Sequence, residues 1–154
     1  MSTPRSLSYG PWHEVIQLRI MLALDTYLRR HPVGQVFGSR ADISWGADVQ
    51  VSPDVFVVPL EQARTLDWSR MRDLMLVAEI LSPSSAHHDR FLKRRRYQEA
   101  YVPLYWIVDG DERRVEVWTP TDLMPRFERE WLVWHPPGAA EPFSLSLAEL
   151  FRRL

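Results

Sequence analysis

The chain reads as an α/β protein at the border with α+β. A long amphipathic segment near the start is followed by several short apolar stretches with strand-like patterning. Residues 74–81 are nearly all apolar, as suits a central strand covered on both faces. Residues 74–108 read strand–helix–strand, a crossover unit with two parallel strands that should be right-handed.

Residues 1–9 read as a loose tail. Pro11 opens a helical pattern in which Val15, Leu18 and Leu22 recur at i, i+3 and i+7, with Ile16, Ile20 and Leu24 widening the stripe. His31-Pro32 ends it, because proline disfavours a helical residue before it, so a helix is expected over 12–30. Residues 33–37 and 40–45 read as extended pieces separated by Gly38-Ser39, a hairpin-like signal. Residues 55–58 form a compact apolar strand, and 60–73 a polar loop with room for a helical turn. Ser82-Pro83-Ser84-Ser85 breaks the 74–81 strand and offers hydroxyls to cap a helix over 86–101. A buried strand over 104–108 and a Gly110-Asp111 turn lead into a strand over 113–118. One more strand is expected over 129–134, with a loop at Pro136-Pro137-Gly138. A closing helix over 146–154 should turn Leu147, Leu150 and Phe151 inward.

Composition bounds the possibilities. At 154 residues and 45% apolar content the chain fits one domain, 1–154, with a real core. Seven Trp point to aromatic packing, and the absence of Cys excludes disulfides and thiolate metal sites. Met1–Arg5 is not followed by an apolar run, and no stretch is long enough to span a bilayer, so a cytoplasmic, membrane-free protein is expected. The net charge of −1 leaves the whole surface unsuited to a polyanion. Arg90, Lys93, Arg94, Arg95 and Arg96 nevertheless crowd one helical segment, so nucleic acid would meet a patch.

Chemistry concentrates in two acids. Glu79 lies inside Leu74-Met75-Leu76-Val77-Ala78-Glu79-Ile80-Leu81, where an unpaired carboxylate costs several kcal/mol to bury. Asp54 follows Ser52-Pro53 at the start of the 55–58 strand. Carboxylates on neighbouring strands can hold a hard cation such as Mg²⁺ (or Mn²⁺) with water completing the shell. On the following helix Asp89, Lys93 and Tyr97, at i, i+4 and i+8, share one stripe. Two acids and a lysine are the minimum set for metal-assisted phosphodiester hydrolysis.

Pro53-Asp54, Val77-Ala78-Glu79-Ile80-Leu81-Ser82-Pro83-Ser84, then Asp89, Lys93 and Tyr97, then Val102-Pro103-Leu104-Tyr105-Trp106-Ile107-Val108-Asp109 together resemble the Uma2 family, also called DUF820. That family belongs to the PD-(D/E)XK nuclease superfamily and carries the label "putative restriction endonuclease". Gly10 to His13 and the Leu147-Ala148-Glu149-Leu150-Phe151 ending resemble it too. The resemblance implies a restriction-endonuclease-like mixed four-stranded core sheet in αβββαβ order, flanked by helices, with extra strands appended. It implies that Asp54 and Glu79 bind the metal, with the backbone carbonyl of Ile80 as a further ligand. The superfamily's lysine normally stands two residues after the second acid, and here that position is Leu81. Lys93 on the adjacent helix is the matching cation, provided that it points at the acids. A helix acid completes the metal site in some related nucleases, which makes Glu14 an accessory candidate beside Asp89 and Tyr97.

Each residue has a plainer reading. Asp54 fits a turn, and Asp89 and Lys93 fit a surface ion pair or a helix start favoured by the dipole. Tyr97 fits a packing residue with a hydrogen-bonded tip. Arg94, Arg95 and Arg96 fit a solvated helix face or, beside a phosphodiesterase site, phosphate contacts. His87 and His88 point about 100° apart on a helix and make a poor metal pair. Asp109 fits a turn with Gly110. The leading expectation is a Mg²⁺-dependent endonuclease acting on DNA as a homodimer, since duplex cleavage needs two sites. The alternatives are a catalytically weak or inactive nucleic-acid-binding or regulatory module on the same fold, and an assembly protein with an exposed Trp face.

Overall fold

The computed structural model describes residues 10–38, 41–46, 48–82 and 87–154, with the side chains of 87–89 excepted. The expected tail 1–9 and the capping residues 83–86 lie outside these. Helix α1 spans Pro11–Arg30. Proline suits its first turn, where its missing N–H would have no partner in any case. The buried face of α1 is set by Ile16, Ile20, Leu24 and Tyr27, whereas Leu18 and Leu22 are 56% and 57% exposed. The expected Val15–Leu18–Leu22 stripe is therefore corrected: the widening residues are the true face, because their i, i+4 rows lie on the sheet. That rotation also buries His13 and Gln17.

Strands β1 (Gly34–Gly38), β4 (Val55–Pro59), β5 (Leu76–Ile80), β6 (Tyr105–Asp109), β7 (Arg114–Trp118) and β8 (Arg126–Glu128) form one sheet in the order β1-β4-β5-β6-β7-β8. Only β5 and β6 run parallel; the other pairs are antiparallel. The mixed core expected from the sequence is present, widened by β7 and β8. Helix α3 (His87–Glu99) connects the parallel pair.

Ser39 and Arg40 of the expected hairpin lie outside the described residues, and the described strands on either side do not pair with each other. β1 pairs with β4, Gly34 against Pro59 through Gly38 against Val55. A Cβ at position 34 would stand 2.8 Å from the Val58 carbonyl oxygen, so glycine is what admits this close approach. β2 (Ile43–Ser44) instead pairs with β3 (Gln50–Val51). The loop expected at 60–73 contains helix α2 (Leu60–Ala63) and a 3₁₀ turn, Trp68–Arg70. The strand expected over 129–134 is β9 (Trp131–Trp134), which pairs with β10 (Phe143–Ser146); β8 and β10 carried no expectation from the sequence. The closing helix α4 is only Leu147–Leu150, yet Leu147, Leu150 and Phe151 are buried as expected.

Alternation along the strands loads both faces. Val55, Val57, Ala78, Trp106 and Val108 pack with α1. Phe56, Val58, Val77, Tyr105 and Ile107 pack on the other face with Tyr97 of α3. No helix among the described residues is long and apolar enough to cross a membrane.

Candidate active site

Asp54 ends the turn before β4, and Glu79 is the next-to-last residue of β5. Because β4 and β5 are antiparallel with Val55 opposite Ala78, the start of one strand lies beside the end of the other. Both acids line one cavity of about 60 Å³, together with His13, Leu81, Arg90 and Lys93. The two strands and two helices thus converge at one end of the parallel pair.

Asp54 is held on three sides. The Ile80 backbone N–H donates to its Oδ2 at 2.9 Å. Gln17 Nε2 donates to its carbonyl oxygen at 2.8 Å. His13 Nε2 stands 3.6 Å from Oδ2, the range of an ion pair. Interaction with the Asp54 carboxylate holds the His13 pKa above its ordinary value, although burial pulls it down. A nearby carboxylate thus outweighs desolvation of the imidazolium.

Glu79 is 7% exposed. Burial pushes its carboxyl up to about 7, and the charge of Asp54 adds to the effect; Lys93 and Tyr97 oppose it. Lys93 Nζ lies 3.4 Å from Oε1, and the Tyr97 hydroxyl donates to Oε2 at 3.0 Å. The Tyr97 phenol is raised well above its ordinary value by burial and then by Glu79, so it stays protonated and acts as donor.

Asp54, Glu79, Lys93 and Tyr97, separated in sequence, therefore meet. Glu14 does not: it is exposed, and its neighbour His13 takes the place near Asp54. A turn of about 100° per residue separates the two, and the sheet selects one. The side chain of Asp89 lies outside the described residues, as do those of His87 and His88. Asp109 has the turn role: its Oδ1 accepts from the N–H groups of Asp111 and Glu112 at 3.1 and 3.0 Å. Of the arginine run, Arg95 pairs with Glu99 at 3.2 Å, Arg94 lies over Trp118, and Arg96 is exposed. Nothing in the residue pattern marked Gln17 for a role at the site, and Arg90 stood out only as one of a basic cluster.

The donor set suits a hard cation. Asp54 and Glu79 offer carboxylate oxygens in one cavity; no group of three or more His, Cys, Asp or Glu among the described residues is arranged to hold a metal. Carboxylate oxygens without thiolates suit Mg²⁺, which keeps several of its waters, better than Zn²⁺, which favours N and S ligands. The raised Glu79 pKa follows from burial first and from the neighbouring Asp54 charge second.

Comparison with known proteins agrees with this architecture. A solved structure described as "a putative nuclease belonging to DUF820" from Anabaena variabilis ATCC 29413 shares the fold, with a TM-score of 0.74 at 21% identity over 92% of this chain and 81% of that one. No curated protein matches the chain. The model of the Uma2 family, described as "Putative restriction endonuclease", matches residues 7–148, and the chain belongs to that family.

Proposed function

We propose that the protein is a metal-dependent endonuclease that hydrolyses DNA phosphodiester bonds, with Mg²⁺ or Mn²⁺ held by Asp54, Glu79 and the Ile80 carbonyl. The observation that carries this reading is the meeting of Glu79 with both Asp54 and Lys93 in one cavity. When bound, the cation supplies charge for the phosphoryl oxygens and acidifies a coordinated water. The chain's own residues do the rest. Ile80 N–H, Gln17 and His13 fix Asp54 in place. Tyr97 fixes one oxygen of Glu79 and leaves the other toward Lys93. The Lys93 side chain, 42% exposed, is placed to meet a phosphate or orient the attacking water. It stands in for the lysine that Leu81 lacks. Leu81 and Ile107 supply an apolar wall that limits water around the acids. A break in both strands of a duplex would take a homodimer, one site per strand.

Incubation of the purified chain with DNA and Mg²⁺ or Mn²⁺ tests the reading. Cleavage is expected, is stopped by chelation, and falls about 10²-fold to 10³-fold or more in Glu79→Ala with the fold retained. A Glu79→Ala protein cutting as fast as the parent removes the assignment. The substitution of Leu81 for the usual lysine favours a second reading, a nucleic-acid-binding module without catalysis. Binding without cleavage across divalent metals selects it.

A further inference from the structure

We propose that the groove leading from the Glu79 cavity beneath α3 to β8 is a track for single-stranded DNA, so that the substrate is an unpaired strand rather than a closed duplex. The identity of the polymer rests on the nuclease reading above; the groove itself does not.

Sheet register builds the track. Glu79 is opposite Ile107, Ile107 opposite Glu116, and Glu116 opposite Phe127. Partners in register point to the same face, so these four form one row across β5, β6, β7 and β8. Three steps of roughly 4.8 Å make the row about 14 Å long. Arg90 and Ile107 line both the Glu79 cavity and the next hollow, of about 170 Å³, which also touches Phe91, Arg94, Glu116 and Trp118. The hollow therefore adjoins the candidate site, with Arg90 and Ile107 as their common wall.

Its chemistry alternates cations and rings. The Arg94 guanidinium lies 4.2 Å from the centroid of Trp118 and 4.8 Å from that of Phe91. Arg114 lies 4.5 Å from the ring of Phe127. A guanidinium already stacked on a ring has less freedom to lose when a phosphate arrives. Phe91 and Phe127 are 46% and 45% exposed, although large apolar side chains are normally withdrawn from water. Arginines interleaved with open aromatic rings match the phosphates and base faces of an unpaired strand. A duplex hides its base faces in the stack and offers only groove edges.

The charge balance agrees. Arg90, Arg94 and Arg114 face the track, against Glu116, whose Oε1 accepts from Trp118 Nε1 at 3.0 Å and so steadies the ring beneath Arg94. Asp109, opposite Arg114 in register, is engaged by its own turn. An unpaired strand also needs only one incision, so the groove gives no reason for a second copy.

Fluorescence anisotropy of the full chain with a labelled oligonucleotide, single-stranded or annealed to its complement, tests this in EDTA, where nothing is cut. The single strand is expected to bind at least about tenfold tighter than the duplex. Phe91→Ala and Phe91→Leu should each lose about tenfold of that affinity while duplex binding and the far-UV circular dichroism stay unchanged. Arg94→Gln should lower the slope of log affinity against log salt by about 0.7, and Glu116→Gln should tighten binding. Equal or tighter duplex binding, no measurable binding, or indifference to both Phe91 variants would overturn the track. Groove-dependent binding by a chain that never cuts with Mg²⁺ sinks the nuclease reading and leaves the track. Cleavage that ignores strandedness sinks the track and leaves the nuclease reading.

Discussion

Helices α1 and α3 cover opposite faces of the same sheet, and they are held there by different forces. The inward face of α1 is a run of fully buried Ile16, Ile20 and Leu24 set into the strands. Of the described side chains of α3, only Tyr97 is buried. The rest of that helix is fixed by polar links: Tyr97 and Lys93 to Glu79, Gln98 Nε2 to the Thr119 and Asp122 carbonyls at 3.0 and 2.9 Å, and Arg94 on Trp118. One helix is placed chiefly by apolar burial, which is itself indifferent to pH and metal, with His13 and Gln17 at its start as its polar links to the site. The other is placed by the groups it brings to the site, so its placement should respond to anything that changes the charge of Glu79.

The contrast can be broken most severely on the α1 side. Ile20→Ala removes a side chain with no exposed surface and should cost about 2–5 kcal/mol, read as a lower denaturation midpoint with an unchanged slope. A comparable loss from an α3 surface residue such as Leu92, 39% exposed, would erase the distinction.

The next largest effect belongs to pH. With Glu79 at about 7 in the fold and an ordinary carboxyl pKa when unfolded, the folded state binds the proton more tightly. Its contribution is complete below about pH 4.5 and is lost as pH rises through 7, by on the order of 3 kcal/mol. His13, also raised, loses stability in the same direction. Denaturation in EDTA at pH 5 and pH 8 should therefore show a drop in the parent that is smaller in Glu79→Gln, where only the His13 part survives. Equal drops would show that Glu79 is not held protonated by its surroundings.

Lys93→Met should lower cleavage about 10²-fold and leave stability little changed at pH 5, where Glu79 is protonated, with the loss appearing as pH rises above 7. It should also raise the Glu79 pKa further, because Lys93 now lowers it; pH-dependent denaturation in EDTA reads this. Tyr97→Phe keeps the ring packing and removes one donor to a buried carboxylate. A loss of about 1–3 kcal/mol is expected, larger at pH 8 than at pH 5. Smallest of all, Leu22→Ala on the outer face of α1 should stay within about 0.5 kcal/mol. A larger loss there would mean that the outer face is covered in solution.

Much of this was legible beforehand. The apolar runs over β4, β5 and β6, the acid inside β5, and Asp54 at the head of β4 are local patterns, and the i, i+4 relation of Lys93 and Tyr97 follows from helix geometry alone. The failures share one cause. Which strands pair is a long-range matter: β1 takes a full five-residue register with β4, and the short β2 pairs with β3. Which stripe of α1 faces inward is ambiguous in a helix with apolar residues on several sides, and only the sheet beneath resolves it.

The residues by themselves determined the long helices, the central strands, the parallel crossover and the two acids, because backbone preference and hydrophobic periodicity act over a few neighbours; the short strands β3, β8 and β10 carried too little pattern to be read. The tertiary fold alone decided that His13 rather than Glu14 and, with it, Gln17 support Asp54, that Arg90 reaches the cavity, and that Glu79, Ile107, Glu116 and Phe127 fall in one row. Those facts depend on how helices rotate against a sheet and how strands align, and both are set by contacts between segments far apart in the chain.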